Sequence, residues 1–307
     1  MAKQTEAVQD SFSFGSSFLR DHAGQIISDP RVAVIELIAN SFDAGAYAVE
    51  VQWPQQVGDR LCFLDDGTGM TEQQFLRRWK TLSYNRLEEQ GPLAEFPPDA
   101  RRTNRVAFGR GGKGRHGALC FADEYTVETW RDGKWFSAKI KLTNGGQAPF
   151  RCKITERRSH PGHGTHIWTI ARFHVLPVAD ITELIGSKFA VDPAFGVTVN
   201  GQRIELLNLK NISSDSVDVP NYGMITIHRV DSAVQHRTAR LHGITWWVQK
   251  RMVGDPSWDG LDGEGHYLDG RTAEAKRYSF VVEADLLKEA HTHLAMRLRT
   301  RPPNGVE

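Results

Sequence analysis

The chain has few cysteines, almost no net charge, no long apolar run and no repeated or low-complexity tract, and each shortage removes a class of protein. Its 307 residues include three cysteines, Cys62, Cys120 and Cys152, far apart in the chain. They have neither disulfide nor metal-ligand spacing, so isolated buried thiols in a reducing compartment are expected. Lys plus Arg number 38 against 37 Asp plus Glu, a net charge of +1. That balance gives no general attraction to nucleic acid or to an anionic membrane, although a local patch can hide inside it. No stretch approaches the roughly 18 apolar residues that span a bilayer. The opening MAKQTEAVQDSFSFGSS lacks the apolar core of a signal peptide. A cytoplasmic protein with no membrane partner is expected.

What remains is an ordinary globular composition, 40% hydrophobic and 24% charged, in a chain long enough for two domains. Residues 1–28 read as an N-terminal extension, with a short helix near Phe18 to Gln25. A helix is expected to start at Asp29 and Pro30, a good N-cap followed by a proline at the first helical position, and to end near Gly45. VEVQW and RLCFLD alternate as strands, DDGTGM is a sharp turn, and Thr71 to Gln74 is a capping box opening a helix through Trp79. Residues 84–105 carry three prolines and little periodicity, the pattern of a lid or binding loop. FGRGGKGRHGALCFAD is glycine-rich and then helical, and EYTVETW, KWFSAKIKL and THIWTI follow as strands. The first domain is expected to run over 29–175. The second, 176–307, opens with a helix near Ala179 to Phe189 and a hairpin about Asn200-Gly201. GMITIHRV and RLHGITWWVQKRMV add strands, and SFVVEADLLKEAHTHLAMRL reads as strand then helix. The tail RTRPPNGVE has no closing element, and a truncated domain is expected.

Four short stretches carry chemistry. In VAVIELIANSFDAG, helical geometry places Glu36, Asn40 and Asp43 on one face and Val34, Leu37, Ile38 and Phe42 opposite. Glu36 could polarise a water, and Asn40 could offer an oxygen to Mg2+. In LDDGTGM, a strand ends in an acid and two glycines let a flat ligand approach. In GRGGKGRHG, Gly109, Gly112 and Gly114 offer successive amides at a helix mouth, an anion cradle that is neither a Walker loop nor a Rossmann fingerprint. In HGTHIWTI, Gly164 and Thr165 open a strand, and the threonine could bond a base or a water. Each has a plainer reading alone: a solvated helix face, a hairpin turn, a flexible linker, a strand threonine. The histidines of RRSHPGHGTH lack metal-ligand spacing and read as a solvated loop.

In this order the four stretches resemble the GHKL superfamily of type II topoisomerase B subunits, ninety-kilodalton heat-shock chaperones, histidine kinases and MutL. Glu36 to Ala44 matches its E-L-I-x-N-x-x-D-A box, Asp65 to Met70 its D-x-G-x-G-M box, Gly109 to Gly114 its glycine box, and Gly164-Thr165 its last and weakest box. The resemblance covers roughly residues 25–172 and is closest to the MORC-like branch. It implies an α/β (α+β) two-layer sandwich, a Bergerat-type ATP-binding domain followed by a transducer-like α/β domain for which GITWWVQKRMVGDPSW is the match. It implies an ATP- and Mg2+-dependent ATPase acting as an ATP-gated homodimer clamp, in DNA repair, a chromatin-like system or defence. Glu36 would be catalytic and Asn40 would hold the metal. Asp43, Asp65, Gly67, Gly69, Met70, Gly109, Gly112, Lys113, Gly114 and Thr165 would contact the nucleotide, with Asp65 rather than Asp66 reading adenine. No Q-T-K triplet is present, so Lys250 is the candidate γ-phosphate lysine from the second domain. Lys113, Arg110 and Arg115 are candidate phosphate contacts, and Lys80 and Arg86 could meet phosphate or a partner subunit. The alternatives are a nucleotide-sensing kinase of the histidine-kinase type, whose N-x-x-x-N box and phosphoacceptor bundle are missing, and a non-hydrolysing scaffold that ATP orders. A partner protein or DNA remains open, since net charge supports neither. Of the adjacent Trp246 and Trp247, one is expected in the core.

Overall fold

The computed structural model describes residues 28–81, 85–101, 105–108, 114–143, 150–189, 195–204, 212–220, 223–231, 243–248, 251–258 and 272–285. Helix α1 (Pro30–Asp43) begins where local chemistry dictates: the Asp29 carboxylate accepts the Arg31 amide at 2.9 Å, and Pro30 takes the first helical position. It buries Val34, Leu37, Ile38 and Phe42. Helix α2 (Glu72–Lys80) opens on the full Thr71/Gln74 capping box and closes on Arg77, Arg78 and Lys80, cations that suit its negative end.

The first sheet has eight strands. Five run in chain order from β1 (Ala48–Gln52) and β2 (Arg60–Asp65) through β3 (Glu124–Arg131) and β4 (Lys134–Leu142) to β5 (Phe150–Ser159). β6 (Gly164–Ile170) and the hairpin β7 (Gly196–Val199) and β8 (Gln202–Arg203) complete it. The spatial order is β5-β4-β3-β6-β2-β1-β7-β8, and the single parallel pair is β1 with β7. One face receives α1, α2 and α4 (Val178–Lys188), and Phe75, Phe136, Ile140, Ile181 and Val197 lie in the same core. This is the two-layer α/β arrangement expected. The hairpin turn has Asn200 at φ 50° and Gly201 at φ 79°, the left-handed pair a two-residue turn needs.

Several elements depart from expectation. The core does not stop at residue 175: α4 packs on α1, and β7–β8 extend the first sheet to Arg203. Strand β5 was not legible because it is an edge strand with nearly every side chain in solvent, so no alternation marks it. Cys152 lies on it and is exposed, whereas Cys62 and Cys120 are buried as expected. The segment after the glycine run is a 3-10 helix, Gly114–Cys120, rather than an α-helix. The lid region holds a short helix α3 (Arg86–Gln90) and a bridge between Leu93 and Val106. The expected helix at 18–25 and the helix after Glu283 lie outside the described residues.

A second, five-stranded sheet contains β9 (Ser213–Val219), β10 (Gly223–Asp231), β11 (Ile244–Val248), β12 (Arg251–Ser257) and β13 (Tyr278–Glu283), in the order β12-β11-β13-β10-β9. The short helix α5 (Ala273–Arg277) leads into β13. Trp247 is fully buried with Val230, Met252 and Val281, and its neighbour Trp246 points out, 44% exposed. No helix among the described residues is long and apolar enough to cross a membrane.

Phe75 is fully buried, stacks on Trp79 at 5.2 Å and meets Phe136 edge-on at the same distance. Phe75→Ala is expected to cost about 3–5 kcal/mol of first-domain stability, read from the midpoint and slope of urea unfolding.

Candidate functional site

The C-terminal half of α1 faces two returning segments of the chain. The first follows β2. Asp65 ends that strand, buried, and pairs in register with Thr165 on β6, which in turn pairs with Thr129 on β3. Paired residues point to the same face of a sheet, so an acid and two hydroxyls form a row. The Thr165 and Thr129 hydroxyls are 3.3 Å apart, and the Met70 amide donates to Thr129 Oγ1 at 3.0 Å. The Asp65 carboxylate accepts from Ser41 Oγ of α1 at 2.8 Å and from the Gly67 amide at 3.0 Å. Asp66 is spent differently: its carboxylate accepts the amides of Tyr47 and Ala48. Glycine is required at 67, where a Cβ would sit 2.8 Å from the Ala44 carbonyl oxygen and 2.9 Å from Asp65 Oδ1.

Burial pushes the Asp65 carboxyl up to about 6, against the opposing pull of the Ser41 and Gly67 hydrogen bonds; the neighbouring Asp66 charge adds to the rise. Above that pH the folded protein holds a charge that burial disfavours. A ligand amine donating to it would offset the desolvation, as the exocyclic amine of adenine could.

The second segment is the 3-10 helix. A Cβ at Gly114 would lie 2.5 Å from Glu36 Cβ and closer still to its carboxylate, and one at Gly117 would meet the Ala33 carbonyl oxygen at 3.0 Å. The end of the glycine run therefore rests on the Glu36 turn of α1. Its beginning rests on the last turn: the Phe108 amide donates to Asp43 Oδ1 at 2.6 Å, and the Phe108 ring stacks on Phe42 at 4.1 Å. Between those two contacts α1 presents Asn40, whose buried Nδ2 has no hydrogen-bond partner among the described residues. An unpartnered buried Nδ2 beside a half-buried carboxylate fits a polar ligand, and an amide oxygen is of the type a hard cation takes. No cluster of three His, Cys, Asp or Glu able to hold a metal occurs among the described residues, so an all-protein cage is not formed there.

Glu36, Asn40, Asp65, Gly67, Gly69, Met70, Gly114 and Thr165 are thus brought to α1 and the β2–β6–β3 row. Asp43 is buried and engaged with Phe108 and, at 3.9 Å, with Arg86. Gly109, Gly112, Lys113 and Lys250, with Arg110, lie outside the described residues. Arg86, read earlier as a phosphate or partner contact, is buried and donates to the carbonyls of Gly91 and Leu93. Arg115 is also buried, its guanidinium 5.6 Å from the Trp79 ring centroid.

Sequence reasoning passed over Ser41, Thr129, Arg105 and His163. His163 lies in the stretch read as solvated, yet its Nδ1 is 2.8 Å from the Gly67 carbonyl oxygen and its Nε2 3.0 Å from the Asp99 carboxylate. No spacing rule marks such residues, because each is defined by a partner distant in the chain.

Residues 27–157 match the family described as "Histidine kinase-, DNA gyrase B-, and HSP90-like ATPase". That match supports assigning residues 27–157 to the GHKL ATPase superfamily. Similar proteins include the DNA mismatch repair protein MutL of Janthinobacterium sp. (strain Marseille), 37% identical over 70 residues, covering 22% of this chain and 11% of that protein. Mouse mismatch repair endonuclease PMS2 is 25% identical over 165 residues, 53% of this chain and 17% of PMS2. MutL of Halobacterium salinarum is 45% identical over 49 residues, 16% of this chain and 7% of that MutL. The chain therefore aligns with under a fifth of the length of each of these relatives. They are mismatch-repair proteins, and nothing in them singles out the MORC-like branch.

The raised Asp65 pKa has a sign that can be tested. The folded state holds its proton more tightly than the unfolded state, so stability is lost from this group as pH rises from about 4 to about 6, by up to about 3 kcal/mol. Asp65→Asn is expected to raise the unfolding free energy of ligand-free protein at pH 7.5 by about 1–3 kcal/mol, the gain vanishing below pH 4. The same variant is expected to lose adenine-nucleotide uptake in calorimetry.

Proposed function

We propose that this domain binds ATP with Mg2+ and hydrolyses it slowly, and that the nucleotide gates dimerisation of the chain. The observation that carries the reading is the contact of Gly114 with Glu36 on a helix that also presents Asn40, whose Nδ2 has no partner among the described residues. It supports a reading in which the end of the glycine run, Gly114, lies beside a carboxylate one turn from an amide side chain.

In this reading Asp65 accepts a hydrogen bond from the adenine amine, with Thr165 and Thr129 beside it. Backbone amides of the glycine run, Gly109 to Gly114, meet the phosphates, where unshielded N–H groups offset negative charge. Lys113 and, from the second domain, Lys250 are the candidate phosphate cations. Asn40 would hold Mg2+, whose chemistry is to neutralise charge between phosphate oxygens. Glu36 orients a water and takes its proton as the oxygen attacks the γ-phosphorus. The bond from that phosphorus to the bridging oxygen breaks, and ADP leaves with phosphate. Nucleotide then favours one conformational state by its differential affinity, which is what makes a clamp.

The five-stranded sheet is the candidate transducer. The similar proteins are named for DNA mismatch repair, which favours a DNA-repair role over a chromatin-like or defence system.

Glu36→Ala is expected to bind Mg·ATP within a few-fold of the wild type and to lose about 100-fold or more in phosphate release. Size measurement of that variant with ATP is expected to show an accumulated dimer, trapped because hydrolysis cannot reset it. Near-normal turnover would remove Glu36 from the role.

A further inference from the structure

Several contacts of the described lid residues converge on the end of α1. Both of its arms return to the end of α1, and Arg105 lies at the junction. Its Nη1 donates to the carbonyl oxygens of Phe42, at 3.1 Å, and Ala46, at 2.8 Å. Its guanidinium lies 4.1 Å from the Phe42 ring centroid, 5.1 Å from that of Phe96 and 5.7 Å from that of Phe195. The residue is only 7% exposed. A buried guanidinium is tolerated only when its charge and donors are met, and the carbonyl end of a helix with three aromatic faces meets both.

The surrounding bonds make this junction a clasp rather than a hinge. The Arg105 carbonyl accepts the Ala94 amide at 2.8 Å, the Ala107 amide donates to the Pro92 carbonyl, and the Glu95 amide donates to the Asp43 carbonyl. Arg78 of α2 holds Glu95 through two hydrogen bonds, at 2.9 and 2.8 Å. Three residues beyond Arg105, Phe108 docks on Phe42 and Asp43, immediately before the glycine run in the sequence. The described lid residues and Phe108, which precedes the glycine run, are therefore both tied to the last turn of the helix that carries Asn40 and Glu36. Along an α-helix, Asp43 lies about 10 Å from Glu36, a short and stiff path.

We infer that Arg105 is a positioning residue: it fixes the lid to the end of α1, so that seating of the lid on nucleotide sets the orientation of Glu36 and Asn40. This rests on the ATPase reading above. Arg105 touches neither nucleotide nor water in this role. Its removal is felt in the rate of the chemical step more than in affinity, because small misplacements of a general base are costly.

The test uses the full chain. Mg·ATP affinity is measured by calorimetry and turnover by phosphate release, for wild type, Arg105→Met and Arg105→Lys, each well below its melting midpoint. Arg105→Met keeps the stem among the phenylalanines but removes the guanidinium donor from the Ala46 carbonyl and from the Phe42 carbonyl, which retains the Gly45 amide. It is expected to hold ATP within about threefold while turnover falls about tenfold or more. Arg105→Lys restores a cationic donor and is expected to recover most of that loss. Equal falls in affinity and turnover, or turnover unchanged in Arg105→Met, would overturn the inference. If the Met variant does not fold, the Lys variant decides: the inference requires a few-fold lower turnover at unchanged affinity, and wild-type turnover contradicts it. A wild-type chain that binds no ATP defeats the ATPase reading itself, before any variant is compared.

Discussion

The site depends on one close approach, that of the backbone at Gly114 and Gly117 to helix α1. There is no room for a Cβ at Gly114 beside Glu36, and little at Gly117 beside the Ala33 carbonyl. Two glycines three residues apart therefore let a 3-10 turn lie on a helix at van der Waals distance, and the packing of this region follows. Ala118, Leu119 and Phe121 enter the same core as Leu37 and Ile38, and Trp53 meets Phe121 edge-on at 5.5 Å. A side chain at position 114 would displace Glu36, so the residue that closes the glycine run also sets the position of the candidate base.

The sheet contributes a second constraint of a different kind. Asp65 is buried at a cost, its carboxyl raised to about 6, although hydrogen bonds from Ser41 and Gly67 pull the other way. A protein selected only for stability would place an apolar or amide side chain there. The register that sets Asp65, Thr165 and Thr129 in one row leaves polar groups on an otherwise apolar sheet face. Retained polarity in a core, at a stability cost, marks binding more than folding.

Much of the first domain was legible because its signals are local. Asp29-Pro30 caps α1, Thr71 and Gln74 cap α2, and Asn200-Gly201 turns a hairpin; each acts within a few residues and each appears in the structure. The segment KWFSAKIKL is strand β4 without a residue added or removed. Signals that need a buried face failed where no face is buried: β5 and β9 are exposed edge strands. The continuation of the first sheet beyond residue 175 was not legible for another reason. Strand β7 pairs in parallel with β1, some 150 residues earlier in the chain, and no local pattern encodes a pairing at that distance. In the candidate site, the sequence motifs pointed to Glu36, Asn40 and Asp65 but not to the residues that contact them. Ser41 matters because it reaches Asp65, and Arg105 because it reaches the carbonyls of Phe42 and Ala46; both are tertiary facts.

The most direct measurement is a structure of the chain with Mg2+ and a non-hydrolysable ATP analogue. The account requires the adenine amine on the Asp65 carboxylate, the triphosphate between the glycine run and α1, and a metal ion on the Asn40 side-chain oxygen with Glu36 facing the γ-phosphate. A nucleotide bound elsewhere, or one in this cleft with its base turned away from Asp65 and no metal at Asn40, would contradict it.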